Sequence, residues 1–233
     1  MSDLSSLSTR DISARSRPIL AFPIGSCEQH GPHLPLDTDT RIAMALCDGL
    51  AAANNRVLIG PAITISASDE HDGFAGTLSI GTAVLTTVIV ELVRSAKWAA
   101  GVVLVNGHGG NAQAVHVAIT DLRSEQRLVT AWWPRLDDYS ESNCDSHAGR
   151  TETSLLLAIA PETVHMEHAE VGTIALLTDI LDELRSHGVA AVSANGVLGD
   201  PRKASSEHGR ELLAILTNQL VSHVELETIT WNH

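Results

Sequence analysis

The sequence predicts an α/β fold on a mostly parallel central sheet, and three observations carry that expectation. The strand candidates are continuous apolar runs without alternation, as in strands covered by helices on both faces. Segments with helical periodicity separate them, at lengths that suit parallel βαβ units. Polar loops rich in Gly, His and carboxylates follow the strands, and open α/β sheets bind ligands outside the carboxyl ends of their strands.

Residues 1–17 are polar and Ser-rich and read as a flexible N-terminal arm, leaving 18–233 as a single domain. Ile19 to Gly25 is the first buried strand, and the Gly-, Pro- and His-rich stretch 26–37 a loop. Thr38 to Ala53 carries Ile42, Ala45, Leu46 and Leu50 at helical spacing, with Thr38 or Asp39 as N-cap. Val57 to Ile65, broken at Gly60-Pro61, is a second strand region, followed by a polar loop over 66–81. Thr82 to Ala99 predicts a long helix ending near Gly101, and Val102–Val105 is the clearest strand. A Gly-rich loop at Asn106–Asn111 leads into a helix over Ala112–Ser124, a strand over Leu128–Trp133 and a polar loop over 134–149. Thr151–Ala160, Ile174–Ser186 and Ser205–His223 read as helices, Gly188–Leu198 as loop or short strand, and Gly199-Asp200-Pro201 as a turn.

Composition narrows the function classes. The chain has 233 residues, 44% hydrophobic and 18% charged, which excludes a disordered or fibrous protein and allows a full core. A formal net charge of −13 repels phosphate backbones, so no nucleic-acid partner is expected. The three cysteines imply no disulfide framework. The N-terminus lacks an apolar signal core, and no run of about 18 apolar residues suggests a membrane span. A cytoplasmic protein is therefore the expectation. Twelve histidines, many clustered with Asp, Glu and Gly, direct attention to metal and acid–base chemistry.

Four loops carry that chemistry. In GSCEQHGPHLPLDTD, Glu28 and His30 lie two apart and point the same way in extended chain, and Asp39 follows at a helix entry, with His33 and Asp37 nearby. Glu, His and Asp suit Zn²⁺, Mn²⁺ or Fe²⁺, although Asp39 as a mere cap with Glu28 and His30 solvated is the competing reading. In SASDEHDGFAGT, at most two of Glu70, His71 and Asp72 can face one site; Glu70 and His71 are taken as substrate-loop residues, not ligands. In LVNGHGGN, His108 stands among Gly107, Gly109 and Gly110, which let a ligand approach the backbone. That loop matches neither GxGxxG nor the Walker pattern, so a nucleotide site is the lesser reading. In DSHAGRTETSLLL, His147 and Glu152 flank a helix start, where Glu152 could simply complement the dipole.

Two His, one Asp and two Glu suffice for two metal ions sharing one carboxylate. Such a pair favours hydrolysis, with His147 passing a proton to a leaving nitrogen. A nucleophilic cysteine (Cys27, Cys47 or Cys144) is a weaker alternative, because no base–orienter arrangement is legible.

Taken together, PIGSCEQHGPHLPLDTDT, FAGT at 74–77, VNGHGGN and HAGRTETSLL resemble the creatininase family of metal-dependent amide hydrolases over nearly the whole chain after the arm. The resemblance implies a three-layer α/β/α fold and homo-oligomers, often hexamers or larger. It implies Glu28, Asp39 and His108 on one metal, His30, Asp39 and Glu152 on the other, with Asp39 bridging and His147 catalytic. Trp133 is similar to a tryptophan on a substrate-covering flap. Gly110 and Asn143 stand where creatininase itself has Glu and Trp, which argues against creatinine as substrate, and FAGT departs from the more common FPGT. LPLDTDTRIA, EHDGFAGT, AWWP and AVSANGVLGDP resemble a peptidase subgroup that releases a modified, Val-Tyr-derived C-terminal unit from a ribosomally made precursor peptide. A small-molecule amidohydrolase acting on a lactam or formamide is the alternative, and a non-catalytic metal- or nucleotide-binding protein the alternative of another class.

Overall fold

A computed structural model describes residues 3–135 and 145–231. Its sheet has four parallel strands in the order β2-β1-β3-β4: β1 (Ile19–Ile24), β2 (Val57–Ile59), β3 (Gly101–Asn106) and β4 (Val129–Trp132). Ile19 pairs with both Val57 and Gly101, and Val102 with Val129. The helices are α1 (Thr9–Ser13), α2 (Thr38–Ala53), α3 (Gly81–Ser95), α4 (Ala112–Ser124), α5 (Arg150–Ile159), α6 (Leu177–His187), α7 (Val189–Val192) and α8 (Ser206–Glu227).

Successive strand residues feed opposite layers, which is why the strands show no polar alternation. Ile19, Ala21, Val103 and Val105 join α2, α5 and α8 in one core. Leu20, Phe22, Val102 and Leu104 join α3 and α4 in the other. The result is the expected α/β/α sandwich, its core almost wholly aliphatic. Leu4, Leu7 and Ile12 of the N-terminal arm lie partly buried against the second core.

Several boundaries differ from expectation for local reasons. β2 stops at Ile59 because Gly60-Pro61 interrupts it, and the chain regains the sheet only as an isolated bridge between Ile24 and Ile63. α3 ends at Ser95, its cap at Ala96 leaving the helical region, so Ala96–Ala100 is a connection. Gly188–Leu198 is not a strand: it begins with the single turn α7 and touches strand geometry only where Leu198 bridges His147. The N-cap of α2 is Asp37, not Thr38 or Asp39.

The strand order positions the site. From β1 the chain moves outward to β2 and then returns to β3 on the other side of β1. The order therefore reverses between β1 and β3, and the loops leaving their carboxyl ends diverge around a crevice. Glu28 and His30 lie in one of those loops and His108 in the other.

Candidate metal centre and active site

Asp39 lies in the first turn of α2, where the helix dipole favours a carboxylate, and is nearly fully buried. Its side chain does not cap the helix. Oδ2 accepts a 2.8 Å hydrogen bond from Ser26 Oγ and lies 3.2 Å from His108 Nδ1, while Oδ1 lies 3.1 Å from His30 Nε2. One carboxylate thus faces two histidines from two different loops.

Each of those histidines has its other ring nitrogen anchored. His30 Nδ1 is 3.2 Å from the Glu28 carbonyl, and His108 Nε2 is 2.9 Å from the Ala67 carbonyl. A carbonyl only accepts, so both anchored nitrogens carry the proton, and His30 Nε2 and His108 Nδ1 remain for a cation. Glu28 is fully buried; Oε2 accepts from Ser68 Oγ at 2.5 Å, while Oε1 accepts no hydrogen bond from the described residues, although His108 Nδ1 is 3.1 Å away. Glu152, in the first turn of α5, accepts from the Ala148 amide at 2.6 Å and lies 3.9 Å from His30 Nε2.

These residues form ligand-like groups: Glu28, Asp39 and His108 in one, His30, His147 and Glu152 in a second, Glu28, His71 and His147 in a third, with ligand atoms within 4.8 Å of one another in each. Among the described residues, the ion pairs of Glu28, Asp39 and Glu152 are all with histidines. Burial alone would deprotonate His30, but Asp39 outweighs it and raises its pKa to about 10. Burial likewise opposes charge on His108, and Glu28 and Asp39 override it to hold the pKa well above the ordinary value. Asp39 is correspondingly held far down by His30 and His108 against the effect of burial. Burial, with the Asp39 charge, raises Glu152 to about 7. The cluster thus holds protons where a metal site holds cations, and the unpartnered Glu28 Oε1 fits a metal ligand.

His147 is buried with its ring centroid 4.3 Å from that of His30 and 4.6 Å from that of His71. Burial, then the charges of His30 and His71, depress its pKa well below the ordinary value, so it is a neutral base near pH 7. The turn that carries it is strained: Ala148 sits at φ 52, a left-handed conformation that costs a non-glycine residue about 1 kcal/mol.

Glu70 and His71 both converge on the cluster, on a short 3-10 turn: Glu70 Oε1 is 3.3 Å from His108 Nε2, and His71 Nε2 is 3.4 Å from Glu28 Oε1. Gly110 cannot carry a side chain, because a Cβ there would meet Glu70 Oε1, His108 Nε2 and the Ala67 carbonyl. A groove of about 840 Å³ opens over Glu70, His71, Gly109, Gly110, His147 and Glu152, walled on the far side by Leu177, Leu181 and Leu184. A smaller cavity of about 290 Å³ is lined by His147, Glu152 and Trp133.

Other candidates go elsewhere. His33 bonds Thr153 Oγ1 at 2.8 Å, and burial lowers its pKa to about 4. Asp37 pairs with Arg41. Cys47 is buried in the core and its thiol pushed far up by burial, which removes it as a nucleophile. Asn143 and Cys144 lie outside the described residues. Ser26, Ser68 and Gln29 escaped the sequence reading; adjacency to the Glu28–His30 motif was the only signal for Ser26 and Gln29, and Ser68 had none.

The match to known proteins covers the same ground. The creatininase family model (creatinine amidohydrolase) matches residues 4–224. The mycofactocin precursor peptide peptidase of Mycolicibacterium smegmatis is 44% identical over 214 residues, covering 89% of this chain and 85% of the relative. The protein of the same name from Mycobacterium tuberculosis H37Rv is 46% identical over 220 residues, covering 89% and 84%. A mutant creatininase solved in a Zn-Zn form superimposes with a TM-score of 0.78 at 21% identity, covering 97% of each chain, a likeness of fold. With the family model spanning nearly the whole chain and relatives above 40% identity, this protein belongs to the creatininase family of C–N bond hydrolases.

Proposed function

We propose that the chain is the peptidase that releases the modified C-terminal, Val-Tyr-derived unit from the mycofactocin precursor peptide, with residues 18–233 as one catalytic domain in the cytoplasm. No helix among the described residues is long and apolar enough to cross a membrane. The observation that carries the reading is the shape of the site. The groove of about 840 Å³ and the cavity of about 290 Å³ share His108, His147 and Glu152 in their walls, which offers room for chain on both sides of a scissile bond, where a lactam or formamide needs only a closed cup.

Glu28, Asp39 and His108 would hold one divalent ion, and His30, Asp39 and Glu152 the other: Zn²⁺, Fe²⁺ or Mn²⁺ by the chemistry of the donors. Bound there, a metal pair supplies Lewis acidity that lowers the pKa of water and polarises the amide carbonyl. The chain does the rest. Neutral His147 takes the proton of the attacking water and returns it to the leaving nitrogen. Glu70, His71, Gly109 and Gly110 form the floor along which the peptide lies, and Trp133 closes the far end. Incubation of the metal-loaded protein with the modified precursor, followed by mass spectrometry, should yield the shortened peptide and the released unit. An intact precursor together with turnover of a small lactam or formamide would move the function to the alternative substrate class.

Metal removal should destabilise the fold and change its proton content. Ions that bind only the folded chain stabilise it by about 2.7 kcal/mol at a hundred times their Kd, so chelation should lower Tm by roughly 5–10 °C in a chain of this size. The proton on His30, pKa about 10 without metal, must leave when a cation takes Nε2, so zinc uptake at pH 8 should release at least one proton. Calorimetry in two buffers of different ionisation enthalpy measures that release. An unchanged melt after verified chelation would make the five ligands peripheral.

The same family likeness supports a homo-oligomer. α6 buries none of its residues, and Ile174, Leu176 and Leu177 around its start are exposed. Light scattering should return a mass several times the 24.7 kDa of one chain, and a mass near one chain would contradict the assembly.

A further inference from the structure

His71 and His147 share one more neighbour, the buried side chain of Gln29, which stands between the candidate ligands Glu28 and His30. We propose that Gln29 is a positioning residue that sets the tautomers of both histidines, holding His71 out of the metal-ligand set and leaving Nδ1 of His147 as the open lone pair.

The orientation of the amide is fixed first. Oε1 accepts from the Gly31 amide at 2.8 Å, and Nε2 donates to the Gly196 carbonyl at 3.1 Å. A backbone N–H can only donate and a carbonyl only accept, so the amide cannot be flipped. Gly196 sits at φ 78, and a Cβ there would overlap the Gln29 amide, so the segment AVSANGVLGDP presents bare backbone to it. The same segment holds the backbone of His147 through Leu198, whose amide donates to the His147 carbonyl at 2.8 Å.

One N–H of Gln29 remains, with two imidazole nitrogens in reach: His71 Nδ1 at 2.9 Å and His147 Nε2 at 3.0 Å. His147 Nε2 also lies 2.9 Å from the backbone carbonyl of Gln29, which only accepts. His147 Nε2 therefore carries the proton, donates it to that carbonyl, and has no lone pair for the amide. The remaining N–H goes to His71 Nδ1, which must be bare. Neutral His71 then has its proton on Nε2, the nitrogen that lies 3.4 Å from Glu28 Oε1. A histidine binds a cation through a bare nitrogen, so the His71 nitrogen nearest Glu28 has no lone pair to offer one. The group of Glu28, His71 and His147 is not loaded as a third metal site, although its ligand atoms lie within 4.8 Å. His147, protonated on Nε2, offers only Nδ1 for proton transfer.

The kinetic arm of the test rests on the hydrolase reading, and the spectral arm does not. In zinc-loaded full-length protein labelled with ¹⁵N-histidine, two-bond ¹H–¹⁵N correlation should show a pyridine-like Nδ1 and a pyrrole-like Nε2 for both residues, identified by their loss in His71→Asn and His147→Ala. Gln29→Leu should leave zinc content unchanged while His71 loses its single tautomer, and Gln29→Glu, which can only accept, should move the His71 proton to Nδ1. In both variants turnover should fall roughly 10–100-fold with KM little changed, the usual range for a group that orients a functional side chain. A wild-type spectrum with a protonated His71 Nδ1, or the same His71 signals in wild type and Gln29→Leu, overturns the proposal, and neither result requires activity. Loss of zinc from Gln29→Leu also overturns it, by making Gln29 a support of the ligands. A wild type with the expected spectrum and no peptide cleavage upholds the tautomer assignment and removes the hydrolase reading instead.

Discussion

Asp39→Ala is expected to empty both metal positions at once and to reduce turnover by more than about 10⁴, since the metal pair is asked for both the nucleophile and the carbonyl polarisation. The expectation follows from how the carboxylate is divided. Oδ1 faces His30 at 3.1 Å and Oδ2 faces His108 at 3.2 Å, so a single truncation would withdraw one oxygen from each of the two proposed ligand sets. Glu28→Ala and Glu152→Ala should differ in kind: each touches one group and should leave about half the metal. Elemental analysis of the purified variants decides the matter. Wild-type metal content in Asp39→Ala would remove the bridging role, and loss of a single ion would assign Asp39 to one position only. Asp39→Asn adds a check on cause: it preserves the shape beside Ser26 Oγ but removes the charge, so if charge holds the ions it should bind metal far more weakly than wild type.

The legibility of this fold in its sequence follows the range of the forces involved. α2 and α4 match the expected helices residue for residue, because their apolar spacing is a local property and no Gly or Pro interrupts either end ambiguously. The strand order is not local: nothing in the runs Ile19–Ile24 and Gly101–Asn106 says that they are neighbours, yet that pairing creates the crevice. The segment Gly188–Leu198 was the least legible. Its one helical turn is held from outside the segment, Thr173 Oγ1 donating to the Val192 carbonyl at 2.5 Å, and not by periodicity.

The candidate site divides the same way. Glu28, His30, Asp39, His108 and Glu152 stand at strand ends and helix starts, where a sheet of this class gathers its loops, so their convergence could be anticipated. Glu70 and His71 could be read as substrate-loop residues but not placed beside His108 and Glu28, because β2 ends at Ile59, well before their turn. The supports of the ligands were the hardest to see. Ser68 lies 40 residues from the Glu28 carboxylate it donates to, and a serine in a polar loop carries no mark of that role.

His147→Ala should keep both metal ions and nearly unchanged substrate affinity while turnover falls by roughly 10²–10⁴, the range of general acid–base catalysis. The loss belongs to turnover because proton transfer is needed in the transition state and not in the bound ground state. The geometry makes the experiment discriminating, since His147 also lies within ligand distance of His30 and Glu152. Two features favour the proton-transfer role. Burial and the charges of His30 and His71 hold its pKa well below the ordinary value, so the ring is neutral at neutral pH and keeps one nitrogen free to take a proton. Asp39 stands closer to His30 than Glu152 does, 3.1 Å against 3.9 Å, so Asp39 would give the proposed second ion a third ligand in place of His147. A substrate whose leaving group needs no proton should recover much of the lost rate in His147→Ala, and a variant that is merely misfolded would not show that recovery. Loss of one metal ion in His147→Ala would make the residue a ligand and pass the acid role to Glu70 or His71. Unchanged turnover of a substrate with a poor leaving group would end the general-acid assignment outright.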